Sequence, residues 1–288
     1  MAERVERRTV VSTGGARLHT EIHGTDDRPT VVLVHGWACD TTFWRPVRER
    51  LLPDHRVVVY DQRGHGRTPA TPGACSPEAL ADDLCAVLAA TVPARGRAVV
   101  AGHSMGAMTV VAAAERAELR ELAAGALLCS TGTRALTSVS TVFPLPAGPA
   151  RTRAQRLLLS TRLPYGPVTP LSRWLVRHIT MSPAATAEQR RVIARMVCRC
   201  HRLARAEWGR MLADLDLTAL LPRLDLPTTV VHGTADRLTP LAHAHHTADR
   251  LPRLVRLLEL PGVGHMAPFE TPERVAEPLI ALAKEQLR

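Results

Sequence analysis

The chain has 288 residues, 45% of them apolar, which is ample for a large core, yet no run of 18 uncharged apolar residues could cross a bilayer as a helix. Its formal charge is +10, but only 3% of residues are aromatic and no nucleic-acid-binding motif is present, so neither a nucleic-acid reader nor a membrane span is expected. Met1 to Arg8 has no apolar core of a secretory signal, so a cytosolic location with six reduced cysteines is expected.

Residues 9–12 and 18–22 are short β-like runs around Gly14-Gly15 and read as an opening hairpin. Residues 30–34 form a continuous run of mostly β-branched residues, the pattern of a strand buried on both faces of a parallel sheet, and end in His35-Gly36-Trp37. A short helix over 43–52 leads to a second buried strand, 57–60, which runs into Asp61-Gln62-Arg63-Gly64-His65-Gly66. Ser76-Pro77-Glu78 supplies a capping oxygen, a proline at the first helical position and a first-turn acid, so a helix should run to about residue 90. The apolar run 97–101 enters Gly102-His103-Ser104-Met105-Gly106, followed by a helical stretch over 107–114 and a strand at 125–129.

After residue 131 this alternation stops. Pro144, Pro146, Pro149, Pro164, Pro167 and Pro170 punctuate arginine-rich stretches, and one longer helix is expected over 187–212, with Ile193, Met196, Val197, Cys200, Ala204 and Met211 on an apolar stripe. Residues 133–215 therefore read as an inserted helical cap, dividing a core made of 1–132 and 216–288. The cap holds fourteen arginines against Glu188, Glu207 and Asp214, a net of +11, which leaves −1 for the rest of the chain. The strand-helix rhythm resumes at 228–231, which leads into His232-Gly233-Thr234-Ala235-Asp236. A helix over 241–250, a strand over 255–260, the loop Pro261-Gly262-Val263-Gly264-His265 and a terminal helix from Thr271-Pro272-Glu273 complete the chain. The class is α/β, with a doubly wound, mostly parallel sheet whose reactive groups lie at the carboxyl ends of strands. Ser104, Asp236 and His265 all follow strands.

A G-x-S-x-G between a strand and a helix places its serine on a tight, strained turn with the hydroxyl above the sheet. Taken with His35-Gly36, Asp61-Gln62-Arg63-Gly64-His65-Gly66, Gly233-Thr234-Ala235-Asp236 and Gly264-His265, this turn makes the chain resemble the α/β-hydrolase fold superfamily over essentially its whole length. The resemblance implies a nucleophile at Ser104, a base at His265 and an acid at Asp236, with an oxyanion hole from the backbone N–H groups of Trp37 and Met105 and no cofactor. The chemistry explains the set: a serine hydroxyl is a weak nucleophile until an imidazole takes its proton, and a carboxylate orients that imidazole. The other position where the family can carry its acid reads Cys129-Ser130-Thr131 and offers no carboxylate.

Large side chains able to wall a substrate pocket are Trp37, Phe143, Tyr165, Trp174, Trp208 and Phe269, with His103 beside the nucleophile; each could equally serve as core. Cys198-Arg199-Cys200-His201 is not read as a metal site, since residues i and i+2 of a helix face apart and no second Cys/His pair is near. His243, His245 and His246 read as a solvated helix face, and the Asp61 to Gly66 stretch as a loop bracing the site. The expected activity is hydrolysis of a small carboxylic ester, thioester or lactone, with C–C bond hydrolysis or cofactor-free perhydrolase or haloperoxidase chemistry on the same triad as alternatives. A ligand-binding receptor or scaffold is the reading from another class, and an intact Ser/His/Asp set argues against it. The basic cap adds the expectation of an anionic or carrier-presented substrate.

Overall fold

The computed structural model describes residues 5–71 and 73–287, so the first four residues of the stretch read above for a secretory signal lie outside it. Strands β1 (Val5–Val11), β2 (Arg17–His23), β3 (Thr30–Val34), β4 (Arg56–Tyr60), β5 (Ala98–His103), β6 (Ala123–Cys129), β7 (Thr228–Gly233) and β8 (Leu254–Leu260) form one sheet in the order β1-β2-β4-β3-β5-β6-β7-β8. The β1/β2 hairpin and its junction with β4 are antiparallel, and every other pairing is parallel. The central strands β3 to β7 are buried along their whole length, as their near-continuous apolar runs require.

Successive side chains of a strand point to opposite faces, and the core divides accordingly. Val32, Val34, Val58 and Val100 pack on one side, under helices α2 (Pro77–Thr91) and α3 (Met105–Ala112). Val31, Leu33, Val57, Val59 and Val99 pack on the other, with α1 (Arg45–Leu51) and, at the end of the chain, Val275, Leu279 and Leu282 of the last helix. As its sequence foretold, α2 begins with the Ser76 hydroxyl accepting from Ala79 N–H and with Pro77 at its first position.

A short helix α4 (Ala117–Leu122) precedes β6. Between β6 and β7 the chain builds α5 (Leu136–Val139), α6 (Pro149–Ser160), α7 (Pro170–Thr180), α8 (Ala187–Arg199) and α9 (Arg202–Asp214). This excursion is closed at its base, where Leu217 N–H donates to Thr133 C=O at 2.7 Å and the backbones of Arg134 and Asp216 pair as an isolated antiparallel bridge. Helices α10 (Ala242–Ala248), α11 (Ala267–Glu270) and α12 (Pro272–Gln286) complete the chain.

The single helix expected over 187–212 is two helices, broken where Cys200 and His201 are extended, with ψ of 130° and 122°. The cause lies in packing. Ile193 and Met196 of α8 belong to the core layer containing α1, whereas Trp208 and Leu212 of α9 belong to the layer containing α2, and one straight helix could not face both. Gly209 lets α9 close on α6, for a Cβ there would lie 1.9 Å from the carbonyl oxygen of Leu159.

Beneath this segment Arg63 donates from Nε and Nη2 to the two carboxylate oxygens of Asp83, each at 2.7 Å, with both side chains buried. Burial pushes the Asp83 carboxyl up and Arg63 opposes it. Asp83→Ala would leave a buried, unpaired guanidinium, so urea unfolding should show a loss of about 3–5 kcal/mol. A loss below about 1 kcal/mol would mean that Arg63 reaches water in the folded chain.

Candidate active site

Ser104 occupies the turn between β5 and α3 at φ 52°, ψ −118°, a conformation that costs a non-glycine residue free energy and persists only where its surroundings impose it. The surroundings do so by close approach. A Cβ on Gly102 would lie 2.3 Å from Gly106 O, and one on Gly106 would lie 2.1 Å from Val34 O. The first turn of α3 is thus pressed against the end of β3, and Ser104 N–H donates to Cys129 C=O at 2.9 Å.

The structure brings together the three residues that follow strands. Ser104 Oγ stands 3.0 Å from His265 Nε2, and His265 Nδ1 stands 2.7 Å from Asp236 Oδ2. Asp236 Oδ1 accepts from the N–H groups of Leu238 and Thr239 at 2.9 and 3.0 Å, and Oδ2 also accepts from the Thr239 hydroxyl at 2.8 Å. Burial alone would raise this carboxyl, but His265 beside it and these donors hold it below the usual carboxylate range. The loop bearing His265 is tied to the far end of α7, since Thr180 C=O accepts from the N–H groups of His265 (2.9 Å) and Met266 (3.2 Å). Glu270 accepts from Ser182 N–H and Gly264 N–H at the same junction.

Gly36 sits against the turn that bears Ser104, for a Cβ on Gly36 would be 3.1 Å from Ser104 Cβ. His35 fixes this loop: its Nδ1–H donates to Gly36 C=O at 2.8 Å while its Nε2 accepts from Gln62 N–H at 3.0 Å, a pairing that sets the tautomer. Gln62 donates back to His35 C=O at 2.5 Å and accepts from the Thr109 hydroxyl of α3 at 2.9 Å. Asp61 accepts from the N–H groups of Thr41 and Arg67, so the Asp61 to Gly66 stretch is a brace. The Trp37 indole N–H donates to Arg205 C=O in α9 at 2.9 Å. Met105 N–H lies in the first turn of α3, where amides lack a partner within the helix.

Above Ser104 opens a cavity of about 450 Å³, walled by Trp37, Phe143, Tyr165 and Trp174 with aliphatic residues of the helical segment, and bordered by His103 and His265. His103 is buried, its Nε2–H donating to His265 C=O at 2.9 Å and its ring 4.4 Å from that of Phe43, so it both lines the cavity and supports the histidine loop. Two expected wall residues are elsewhere. Trp208 is core, with its indole N–H on Arg63 C=O at 2.8 Å, and Phe269 stacks on Phe43 behind the site. Among the described residues no arginine lines this cavity, so the basic charge of residues 133–215 lies outside it. Nor is α10 solvated throughout: His243 faces inward against Gly132 while His245 is exposed and paired with Glu259. Among the described residues, no group of three or more His, Cys, Asp or Glu side chains is placed to hold a metal ion.

Sequence reasoning missed Thr180, Thr239, Arg205 and Glu270, and placed Gln62 in the bracing loop without naming its partners. Only Thr239 left a local signal, since an aspartate with donors two and three residues on is an Asx-turn pattern. The partners of the others lie 27 to 168 residues away, apart from Gly264, which is 6 residues from Glu270, and they became visible only once the sheet and helices were assembled.

A family model described as "Alpha/beta hydrolase family" matches residues 31–277. A non-heme chloroperoxidase of Streptomyces lividans is 28% identical, with 96% of this chain and 99% of that one covered. A pimeloyl-[acyl-carrier protein] methyl ester esterase of Aromatoleum aromaticum (strain DSM 19018 / LMG 30748 / EbN1) is 29% identical over 84% of this chain and 93% of its own. The solved structure of a thermophilic esterase from Thermogutta terrifontis superposes with a TM-score of 0.78 at 28% identity, covering 99% of this chain and all of that one.

Burial holds four histidines around the site below their ordinary range: His65 at about 3, His243 at about 4, and His103 and His232 also lowered. In the unfolded chain such groups take up a proton near pH 6.5, so between pH ~6.5 and ~4 the unfolded state binds more protons than the folded one. Stability is therefore full above about pH 6.5 and should fall steeply with acidification through that window. Scanning calorimetry from pH 7.5 to 4 checks this, and His243→Gln should flatten the fall; a constant Tm would contradict it.

Proposed function

The chain belongs to the alpha/beta hydrolase family, and from that premise we propose that it is a serine hydrolase cleaving a small, largely apolar carboxylic ester, thioester or lactone through an acyl-enzyme. The observation that carries this reading is the unbroken sequence of contacts Ser104 Oγ to His265 Nε2 to Asp236 Oδ2, at 3.0 and 2.7 Å. Ser104 Oγ attacks the carbonyl carbon while its proton passes to His265 Nε2, and Asp236 stabilises the imidazolium through Nδ1–H. The oxyanion is met by the N–H groups of Trp37 and Met105, each such donor supplying about 3 kcal/mol of transition-state stabilisation. His265 returns the proton to the departing alcohol, thiol or lactone oxygen. It then takes a proton from the water that releases the acid.

Residues 133–215 act in this reading as a cap that supplies the apolar walls. The cavity selects an acyl or alkyl group by burial, at roughly 0.8 kcal/mol per methylene, and among the described residues no arginine lines it to pair with an anion. The chloroperoxidase relative supports a second reading on the same residues, in which hydrogen peroxide takes the place of water and the acyl-enzyme is released as a peracid. Peracid formation from acetate and peroxide would distinguish it.

Ser104→Ala should reduce ester hydrolysis by at least about 10³-fold and abolish labelling by a fluorophosphonate, with Tm unchanged. Turnover within about tenfold of wild type in a folded variant would remove Ser104 as nucleophile. Asp236→Asn should lower kcat by about 10⁴-fold by favouring the wrong tautomer of His265, whereas Asp214→Asn, Asp216→Asn and Asp225→Asn should be near neutral. With p-nitrophenyl esters of graded length, kcat/KM should climb until the acyl chain fills the cavity and then fall.

A further inference from the structure

Residues 122–187 contain seven arginines and no aspartate or glutamate. The same stretch carries most of the large apolar side chains that the fold leaves in water. Leu157 is 69%, Leu163 72% and Leu171 65% exposed, with Trp174 and Leu175 exposed beside them. On α7, Leu171, Trp174 and Leu175 follow the spacing i, i+3, i+4, so one face of the helix is apolar and turned outward, while Val176 and Thr180 are buried. Arg153, Arg162 and Arg173 have no acidic partner among the described residues. Trp174 and Leu175 also line the cavity above Ser104, as Leu158 of α6 and Tyr165 do, so this apolar, basic surface adjoins the cavity.

We propose that this face docks the protein on the surface of an anionic phospholipid bilayer. Exposed leucines and a tryptophan on projecting elements, interspersed with arginine, suit the boundary between acyl chains and headgroups, the leucines and tryptophan entering the apolar layer and the guanidinium groups meeting lipid phosphate. An acidic protein would answer the arginines but leave the protruding leucines without a place. A second copy would set the same unpaired arginines against one another, since a two-fold contact joins a patch to itself. Docking in this orientation brings the mouth of an apolar cavity to the apolar phase, so a substrate dissolved in the bilayer reaches Ser104 without crossing water. The surface stands independently of the esterase reading, because affinity for vesicles is measured without turnover.

The test is flotation of the full chain, and of Ser104→Ala, with vesicles of phosphatidylcholine alone or mixed with phosphatidylglycerol, at low and high salt. Binding to the anionic vesicles should be at least about tenfold tighter at low salt and should weaken as salt rises. The variants Leu163→Asp/Leu171→Asp and Arg153→Glu/Arg162→Glu should each lose about tenfold or more in binding while keeping wild-type Tm and wild-type hydrolysis of a short soluble ester. These positions do not line the cavity. Absence of vesicle binding, equal binding to neutral and anionic vesicles, or wild-type binding by both variants would overturn the proposal. So would a dimer that Leu163→Asp/Leu171→Asp dissolves, or binding to polyglutamate, in a protein that ignores vesicles.

Discussion

The arrangement depends on one close approach of backbone to backbone. The first turn of α3 rests on the carbonyl ends of β3, so near that neither Gly102 nor Gly106 could carry a Cβ without moving Gly106 O or Val34 O. From that contact follow the strained dihedrals of Ser104 and the position of its side chain at the carboxyl end of β5. A small shift of α3 away from β3 would relax Ser104 and, in the proposed reaction, move the Met105 amide that is one of the two oxyanion donors. The strain is therefore held by sheet packing that involves fully buried Val34, Val100 and Met105, and not by any contact of the serine side chain with solvent or substrate.

A second dependence links the helices between β6 and β7 to the residues beneath them. Thr180 C=O, at the end of α7, accepts two amides of the loop that carries His265, and Arg205 C=O, in α9, accepts the indole of Trp37. The helical segment thus touches both sides of the site through hydrogen bonds to backbone carbonyls, whose positions are fixed by the helices themselves. Arg205 is buried, with its guanidinium 3.5 Å from the Tyr165 ring and donating to Thr161 and Leu163 C=O. A buried cation without a carboxylate is costly unless aromatic and carbonyl groups replace its water, which is what this environment supplies. The interaction pins the loop between α6 and α7, whose Tyr165 lines the cavity.

Much of this was legible because it is local. A β-branched run, a serine cap followed by proline, and glycines flanking a serine each specify their own conformation, and the strands, α2 and the turn at Ser104 lie where those signals put them. The order in which Ser104, Asp236 and His265 follow their strands was equally legible. What escaped was set by layers. The sequence stripe from Ile193 to Met211 has helical spacing throughout, and nothing in it marks that its two halves serve opposite sides of the sheet, so the break at Cys200-His201 was invisible. Trp208, Phe269 and His243 were misplaced for the same reason: size and polarity say that a side chain will pack, and only tertiary assembly says against what.

The polar resources of the site are distributed unevenly, and the unevenness has a physical consequence. Asp236 is buried yet holds its proton less readily than an exposed carboxyl, because Leu238, Thr239 and His265 supply four donors around it. Without them burial would favour the neutral acid, which could not orient an imidazole or stabilise its cation. The space above Ser104 is built the opposite way, with aromatic and aliphatic walls that offer a developing oxyanion few partners besides backbone amides. In the proposed reaction each amide would act there through a lower effective dielectric than in water, so two fixed donors would suffice where solvent would require a reorganising shell. Donors crowd the carboxylate that must stay charged, and apolar walls surround the atom where charge must appear. The same sequence segment whose outer face is basic supplies those apolar walls, which is why its net charge says nothing about the polarity of the cavity it covers.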